Sequence, residues 1–372
     1  MTLKSILVAG ATGYMCVYPF FSPDPANHPW LRDIEITALV RKKSEAEVIE
    51  ASGVKTIICA SYDDAARLET IGQDFDIIIQ AGHNDARTAI PLIRGLSARK
   101  AKCAIPVHFL HVTGASNISD RPLTQHYTET RVLSDQESIY HYMKYRESIE
   151  SYGQRKSDIM TIEAGKQYSV STYTVMAPTI FGIGSGEFRR YTTQLPAMIN
   201  NMLNTGECLV LGSGETRWGR IHVEDLASLF MCLCCHVLCG TAVPSGERGI
   251  YHAEAGSFSH REYSQRLADV SHEMGYLDSP TVREAGLDEV AKGFTNGNRL
   301  IAELSYGANA LMTSELGPAL GWVPKYLNEA WEASFMTELK GFLRDRPELI
   351  QMPPDYDIQK PARFSLEESV VG

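Results

Sequence analysis

The feature that most constrains this chain is a glycine turn directly after an apolar segment near its first residue. Residues 5–9 read Ser-Ile-Leu-Val-Ala, and Gly10-Ala-Thr-Gly13 follows them. The apolar run predicts a buried strand, and the glycines predict a tight turn that leads into a helix. A helix start presents unpaired N–H groups and the positive end of a dipole, so this arrangement is typical of a pyrophosphate site.

Each glycine of the turn has its own expected role. Gly10 allows the tight turn, and Gly13 lets the backbone approach the phosphates. Cys16 stands where a third glycine would pack the helix against the strand, and the sequence also fits a plain structural turn. On the dinucleotide interpretation, the cofactor contacts in this segment come from Gly10, Thr12, Gly13, Tyr14 and Met15.

A doubly wound α/β fold is predicted for residues 1–182. Short apolar runs alternate there with polar, helix-like stretches, and Ile77-Ile-Ile79 is apolar on both faces. Strands buried on both faces belong to parallel sheets flanked by helices, as in a Rossmann domain. The predicted strands are 5–9, 35–40, 54–58, 76–80, 107–112 and 172–177.

A smaller and mostly helical lobe is predicted for residues 183–372, with a strand or two returned to the sheet. Glycine-rich turns separate its helical stretches. The proline-containing insert at 20–30 predicts an irregular loop, and the polar tail from residue 352 is expected to be loosely held. The predicted helices are 194–203, 225–236, 260–274, 308–320 and 329–344.

Composition argues against several classes of function. The 372 residues carry a formal net charge of −10, which disfavours nucleic acid as a partner, because a phosphate backbone requires clustered lysine and arginine. The apolar run 226–240 is too short and too mixed to span a membrane. The first strand starts without a charged and apolar leader, so we expect a cytoplasmic protein with free thiols.

Five residues of the types that bind metal lie close together in one predicted helix. They are Cys232, Cys234, Cys235, His236 and Cys239, and they are mixed with leucine and valine. Structural zinc usually takes two paired ligand clusters with a loop between them, whereas free cysteine packs as a small apolar residue. The pattern therefore favours core packing over a metal site.

The residues after the second predicted strand indicate which dinucleotide the site accepts. Arg41, Lys42 and Lys43 follow Ala-Leu-Val, where many dinucleotide sites carry a carboxylate for the ribose hydroxyl. A guanidinium suits a 2′-phosphate and a carboxylate would repel it, so we expect NADP(H), with a solvated basic turn as the alternative. Ala81 and Gly82, after the fourth strand, leave room for the cofactor or form a tight turn.

Four segments in order resemble the extended and atypical short-chain dehydrogenases/reductases. They are Gly10-Ala-Thr-Gly-Tyr14, Pro178-Thr-Ile-Phe-Gly182, His222-Val-Glu-Asp-Leu226 and Leu320-Gly-Trp-Val-Pro324. The chain is similar to the NAD-dependent epimerase/dehydratase-like members, in a branch frequent in fungal secondary metabolism. The resemblance implies hydride chemistry, or epimerisation or dehydration through a transient oxidation, on a small organic molecule. It also implies that Pro178 lies near the nicotinamide.

Enzymes of this family use a Tyr-x-x-x-Lys pair on a helix, and the chain contains two candidates. One pair is Tyr140 and Lys144, and the other is Tyr152 and Lys156. The spacing places both side chains on one helix face, where an ammonium lowers the phenol pKa for proton exchange with a carbonyl or hydroxyl. Counting forward from the fifth predicted strand favours Tyr140. Counting backward from the sixth favours Tyr152, which we prefer.

The family also places a Ser or Thr hydroxyl at a strand end to orient the substrate oxygen. Gly114 stands at that position here, so Thr113 and Ser116 are the neighbours expected to substitute. Both hydroxyls also fit a simpler role in satisfying backbone groups. This departure keeps two alternatives open, a redox-neutral isomerase or cyclase and a non-enzymatic NADP-sensing regulator.

The resemblance also points to a substrate region and to a partner. In related sugar-nucleotide enzymes the segment that contains Trp218 and Arg220 faces the substrate, so we expect these two side chains to contact it. Trp218 fits an aromatic or hydrophobic partner, and it fits plain packing equally well. Many relatives pair through a helix bundle, which makes a homodimer a further expectation.

Overall fold

The computed structural model describes residues 3–15, 31–82, 85–124 and 127–349. The predicted loop at 20–30, Cys16 and the tail from residue 352 lie outside these ranges. In chain order the strands are β1 (Ser5–Ala9), β2 (Glu35–Val40), β3 (Lys55–Ile58), β4 (Ile77–Gln80), β5 (His108–Gly114), β6 (Leu133–Ser134), β7 (Ser171–Ala177), β8 (Thr179–Phe181), β9 (Cys208–Leu211), β10 (Arg217–His222), β11 (Ile250–His252), β12 (Ser257–Ser259), β13 (Val282–Ala285) and β14 (Met312–Thr313).

The α-helices of the described residues lie between and after these strands. In chain order they are α1 (Lys43–Ala51), α2 (Ala65–Gly72), α3 (Ala86–Cys103), α4 (Ile139–Ile149), α5 (Gly153–Gln167), α6 (Gln194–Thr205), α7 (Val223–Leu238), α8 (His260–Glu273), α9 (Leu287–Phe294), α10 (Arg299–Tyr306), α11 (Leu316–Ala319) and α12 (Asn328–Asp345).

Within the described ranges, seven strands form one parallel sheet in the order β11-β7-β5-β4-β1-β2-β3. Ile77, Ile78 and Ile79 of β4 are fully buried, as expected for a strand covered on both faces. The winding direction reverses at β1, which pairs with β2 on one side and β4 on the other. Ligands of such sheets bind outside the carboxyl ends of the strands at this reversal. The predicted doubly wound Rossmann fold is confirmed.

The second half of the chain contributes to two apolar cores. Helix α7 packs into the core of the parallel sheet through Leu226, Leu229 and Leu233, and β11 adds the last strand to that sheet. A separate core is built around Phe258 and Trp331, whose rings stack with centroids 5.1 Å apart. The second half therefore returns segments to the sheet while forming a lobe with its own core.

One predicted helix in the second lobe is wrong. The segment 308–320 is mostly extended, because Met312–Thr313 pairs with β6 and only α11 is helical. Two buried carboxylates hold its backbone: Asp120 accepts from the N–H of Asn309 at 2.7 Å, and Asp135 accepts from that of Glu315 at 2.8 Å. These long-range hydrogen bonds replace the helical ones that the local sequence favours.

Candidate functional site

The glycine turn lies at the carboxyl end of β1, against the residues that follow β4. Gly10 has a φ of +82°, and a Cβ on it would lie 2.5 Å from the backbone nitrogen of Gly82. The N–H of Gly13 donates to the carbonyl of Gly10 at 2.8 Å, which closes the turn. Because only glycine fits at position 10, the backbones of the two glycine segments pack directly against each other and form a cradle with no side chain between Gly10 and Gly82.

The residues after Gly13 do not form the predicted helix as far as the structure describes them. Tyr14 and Met15 lie in turns, and the next described residue is Leu31. Ala81 is buried and its N–H continues the sheet by donating to Ala9 at 2.9 Å. Residues 10–15 therefore form a turn and not a helix start, and the glycine cradle is the geometry that remains for a phosphate.

A short chain of hydrogen bonds links this turn to the second lobe. Tyr14 Oη donates to the carbonyl of Gly182 at 2.5 Å, and the N–H of Gly182 donates to Glu338 Oε1 at 2.7 Å. Burial raises the pKa of the Glu338 carboxyl to about 7. Pro178, which precedes β8, is buried against Gly219. The segment 178–182 thus contacts the glycine turn through Tyr14, which follows Gly13.

Arg41, the first basic residue after β2, lies beside a tyrosine that approaches the glycine turn. The guanidinium carbon of Arg41 lies 5.8 Å from the centre of the Tyr62 ring, and Tyr62 Oη donates to the carbonyl of Leu39 at 3.3 Å. Burial raises the pKa of Tyr62 to about 12. Glu45 Oε2 accepts from the backbone N–H groups of both Arg41 and Lys42 at 3.2 Å, so a carboxylate lies against the backbone of this basic turn.

Tyr152 meets a hydroxyl at the end of β5. Tyr152 immediately precedes α5, and its Oη lies 3.1 Å from Ser116 Oγ. Its ring is 7% exposed, and Ser116 is half-buried. Lys156 follows one helical turn later, with its N–H donating to the carbonyl of Tyr152 at 2.9 Å. The structure thus brings a phenol and an aliphatic hydroxyl together at the start of α5. Tyr152 is the extended N-cap residue of this helix, so the predicted placement of Tyr152 and Lys156 on one helix face is not what positions the phenol.

Thr113 has a different environment from Ser116. Its hydroxyl donates to the carboxylate of Asp158, which is fully buried on α5. The amide of Asn117 also donates to that carboxylate, and His111 Nε2 lies 3.1 Å from its other oxygen. Because several groups converge on Asp158, the Thr113 hydroxyl fixes β5 to α5, whereas Ser116 is the hydroxyl directed at Tyr152.

A buried arginine fixes the position of Tyr152. Arg155 is 1% exposed and donates to Glu147 at 3.1 Å, to the carbonyl of Asn117 at 3.1 Å and to the carbonyl of Glu150. These contacts tie together α4, α5 and the turn that carries Ser116. Asn117 ends a short 3-10 helix and Glu150 is the C-cap of α4, so the charged donor satisfies carbonyls at helix ends that have no partner within the helix. Arg155 therefore holds Tyr152 and Ser116 in register.

The second pair, Tyr140 and Lys144, lies elsewhere. Tyr140 Oη and Lys144 Nζ each donate to Glu163 Oε1 at 2.9 Å. Glu163 lies on α5, and the 1.5 Å rise per residue places it about 16 Å along the helix from Tyr152. Burial and the Glu163 carboxylate raise the pKa of Tyr140 to about 12. The pair borders an open groove of about 620 Å³ together with Lys166 and Glu247.

The structure does not bring the expected substrate contacts to the Tyr152 site. Trp218 is 4% exposed and belongs to the core of the second lobe. The Arg220 guanidinium lies 4.8 Å from the ring of Trp331 and donates to Asn328. Both side chains pack within the second lobe, so their expected role in binding substrate gains no support from their placement.

Sequence reasoning missed three residues of the Tyr152 site. Gln154 and Asp158 reach the turn at 113–117, and Arg155 fixes the chain between α4 and α5. Gln154 and Arg155 stand inside the Tyr-x-x-x-Lys motif itself, and Asp158 is a charged residue followed by an apolar run on the same helix. A charge that a predicted buried helix carries needs a partner, and that was the available signal.

The sequence also carries expectations about metal binding, cysteines and membrane-spanning helices. No group of three or more histidine, cysteine, aspartate or glutamate side chains is arranged to hold a metal ion there. Cys234 is fully buried, and burial raises the pKa of its thiol. Among the same residues, no helix combines the length and the apolar character that crossing a membrane requires.

The sheet order and the glycine cradle at its reversal define an α/β protein of the dinucleotide-binding class. The chain belongs to the NAD dependent epimerase/dehydratase family, whose profile matches residues 6–242. This membership confirms the resemblance drawn from the four motifs. A search of curated proteins by sequence finds no significant match.

Several solved structures share this fold. The dTDP-glucose 4,6-dehydratase DesIV from Streptomyces venezuelae, solved with NAD, has a TM-score of 0.60 at 15% identity over 92% of this chain and 98% of its own. UDP-glucose 4-epimerase from Thermotoga maritima, solved with UDP-glucose, has a TM-score of 0.57 at 12% identity over 92% and 100%. The yeast methylglyoxal/isovaleraldehyde reductase Gre2, solved with NADPH, has a TM-score of 0.51 at 13% identity over 91% and 100%.

Proposed function

We propose that this chain is an NADP(H)-dependent enzyme of the short-chain dehydrogenase/reductase type that reduces, epimerises or dehydrates a small organic metabolite. The observation that carries the proposal is the 3.1 Å contact between Tyr152 Oη and Ser116 Oγ at the end of β5. Strand β5 neighbours β4, and Gly82, the second residue after β4, forms the cradle with Gly10. Family membership supports a nicotinamide dinucleotide as the cofactor.

The proposed chemistry assigns one role to each side chain at the site. Tyr152 gives a proton to the substrate oxygen or takes one from it, and Ser116 orients that oxygen by a hydrogen bond. Lys156 stabilises the phenolate with its ammonium and holds the cofactor ribose. A bound nicotinamide would supply or accept the hydride.

The cofactor would be held by the cradle and by the basic turn after β2. A Cβ at Gly10 would collide with the backbone of Gly82, so the two segments pack backbone against backbone, and a pyrophosphate would meet main-chain atoms there. The side chains of Arg41 and Lys42 would contact the 2′-phosphate. The Glu45 carboxylate accepts from the backbone N–H groups of these two residues, so its negative charge would weaken that contact. The proposed cofactor residues are Gly10, Thr12, Gly13, Tyr14, Met15, Arg41, Lys42, Ala81, Gly82 and Pro178.

The experiment that tests this proposal is a calorimetric titration of the protein with NADPH, NADH, NADP and NAD. We expect NADPH to bind at least about tenfold tighter than NADH, because a guanidinium–phosphate contact is a charge-assisted hydrogen bond. Equal affinities would overturn the NADP assignment. Failure of all four to bind would favour the redox-neutral isomerase or cyclase, which the glycine at position 114 also suits.

Charge reversal at Arg41 gives a sharper version of the same test. Arg41→Asp should weaken NADPH by about a hundredfold and NADH by less than about threefold, because the added carboxylate repels a 2′-phosphate alone. Lys43→Asp is the matched control, since Lys43 is exposed and lies 3.8 Å from Glu47 in a surface ion pair. Equal losses of NADPH and NADH affinity in Arg41→Asp would contradict the assignment.

A further inference from the structure

The glycine at the end of β5 is not required by its backbone conformation. Gly114 has a φ of −109° and a ψ of 151°, an extended conformation that any residue adopts. A Cβ at this position would instead lie 2.9 Å from Gln154 Nε2 and 3.4 Å from Ser116 Oγ. The absence of a side chain at position 114 therefore leaves space that the Gln154 amide occupies.

The Gln154 amide is surrounded by acceptors. Its Nε2 lies 3.2 Å from Thr113 Oγ1 and 3.3 Å from each of three other oxygens: Gly114 O, Ser116 Oγ and Asn117 Oδ1. An amide nitrogen carries two hydrogens and cannot accept, so Gln154 is the donor in each of these contacts, and its two hydrogens are shared among the four oxygens. Gln154 is thus the common donor to the turn that carries Ser116.

The direction of donation decides what Ser116 does. A serine oxygen that accepts from an amide still has its own hydrogen to give. Tyr152 Oη is 3.1 Å away, so that hydrogen is available to the phenol oxygen and to a substrate oxygen beside it. Hydrogen bonding to the charged form of an acid favours ionisation, so this direction stabilises the phenolate.

We propose that Gln154 is a positioning residue for the Ser116–Tyr152 pair: its amide fills the space left by Gly114 and donates to Ser116 Oγ, which turns the serine hydrogen towards Tyr152 Oη. This inference rests on the proposed function, because the direction matters only if Tyr152 exchanges a proton. A hydroxyl residue at position 114 would supply a polar donor at this place. In this chain Gln154, on α5, supplies that donor instead.

The charged groups around Tyr152 do not replace this donor. The Arg155 guanidinium carbon lies 5.7 Å from the Tyr152 ring centre, and its Nε pairs with Glu147. The same Glu147 carboxylate accepts from the backbone N–H of Tyr152 at 3.0 Å. Asp158 is engaged by Thr113, His111 and Asn117, and Lys156 stands one turn further along α5. Among these neighbours of Tyr152, Gln154 is therefore the residue whose uncharged amide contacts Ser116 Oγ.

The test follows the ionisation of Tyr152 in the full chain labelled with ¹³Cζ-tyrosine, assigned by the signal lost in Tyr152→Phe. Gln154→Met keeps the length of the side chain and removes the donor, and Gln154→Ala also removes the bulk. Both should raise the pH midpoint of the Tyr152 signal by about one unit, because the hydrogen bond to the phenolate is lost. Gln167→Ala, an exposed glutamine on the same helix, should leave it unchanged.

A second substitution asks whether the donor itself is what matters. Gly114→Ser combined with Gln154→Ala places a hydroxyl in the vacated space and should return the midpoint to within about 0.3 unit of the original. If Gln154→Ala acted only by disturbing the local structure, the added serine would not restore the midpoint. An unchanged midpoint in Gln154→Met and Gln154→Ala, or an equal rise in Gln167→Ala, would overturn the proposal. So would a rise that Gly114→Ser leaves uncorrected.

The outcome separates the two proposals. Full turnover in Tyr152→Phe would remove the proposed acid, whatever the Gln154 variants do. Loss of turnover in Tyr152→Phe together with unshifted Gln154 variants would leave the proposed function intact and remove only the positioning role. The midpoint is measured without substrate, so it does not depend on which metabolite the protein uses.

Discussion

The two Tyr-x-x-x-Lys pairs have the same spacing, yet they meet different partners. Tyr140 and Lys144 both lie on α4, whereas Tyr152 precedes α5 and Lys156 lies on it. Tyr140 and Lys144 share the carboxylate of Glu163, and Tyr140 is driven towards its neutral phenol with a pKa of about 12. Tyr152 faces the hydroxyl of Ser116 at the end of a central strand. The same motif therefore meets a neutral hydroxyl near the start of α5 and a carboxylate near its end.

This difference comes from what surrounds each phenol oxygen. A carboxylate that accepts the phenol hydrogen holds the proton in place, and its charge opposes the phenolate. A hydroxyl can donate as well as accept, so it tolerates both protonation states. The pair next to a hydroxyl is the one suited to exchange, and position relative to the sheet edge decides which pair that is.

The largest expected effect comes from removing each phenol in turn. Tyr152→Phe should lower kcat/KM by about 10²- to 10⁴-fold, because general acid–base catalysis contributes that much, whereas Tyr140→Phe should stay within about twofold. The measurement is cofactor oxidation with a substrate found by screening aldehydes and ketones against NADPH. The comparison breaks if the two variants exchange these behaviours.

A second test places the cofactor at the Tyr152 end of the sheet. Gly10→Ala should weaken cofactor binding by about a hundredfold, since its φ is +82° and its Cβ would meet Gly82 at 2.5 Å. Gly53→Ala is the control, because Gly53 has a similar φ of +86° with nothing within 4 Å. Calorimetry in both variants, with melting temperatures to verify folding, gives the result. Equal cofactor affinity in Gly10→Ala and Gly53→Ala would show that the cofactor does not bind at the cradle.

The partners of the two phenols provide a third, smaller contrast. Ser116→Ala should lower kcat about tenfold, because it removes one hydrogen bond to the reacting oxygen. Glu163→Gln should leave kcat within about twofold, because it alters only the groove pair. Steady-state kinetics on both variants decides between them, and a larger loss in Glu163→Gln would reverse the assignment of the site.

The smallest expected effect sharpens the explanation of the Tyr140 environment. Glu163→Gln should lower the pKa of Tyr140 from about 12 by about one unit, because the carboxylate charge is removed while burial still disfavours the phenolate. The ¹³Cζ signal of Tyr140, assigned with Tyr140→Phe, reports this shift. A rise on neutralising Glu163 would show that the carboxylate does not oppose ionisation.

The sheet was largely predictable from the sequence, because its strands carry their burial pattern locally. The apolar runs at Ser5–Ala9 and Glu35–Val40 match the observed strands to the residue. The second lobe was less so: α9 and α10 were missed, although Asn298 marks the start of α10 by accepting from the N–H of Ile301 at 3.0 Å. Predicted helix 308–320 failed because distant aspartates hold its backbone.

The site was predictable in its motifs and not in its contacts. The glycine turn and both Tyr-x-x-x-Lys pairs are visible as patterns, since each depends on spacing along the chain. The choice between the pairs depends on Glu163 and Ser116, which approach from other elements. The burial of Trp218 and Arg220 likewise depends on aromatic residues of the second lobe that no local pattern connects to them.

The central claim, that the nicotinamide end of a bound dinucleotide lies beside Tyr152, can be tested without knowing the substrate. The measurement is the ¹³Cζ spectrum of the tyrosine-labelled protein during titration with NADP, with Tyr152 and Tyr140 assigned by their phenylalanine variants. The account predicts that saturation with NADP shifts the Tyr152 signal and leaves the Tyr140 signal in place. A shift of Tyr140 with an unmoved Tyr152 would contradict it.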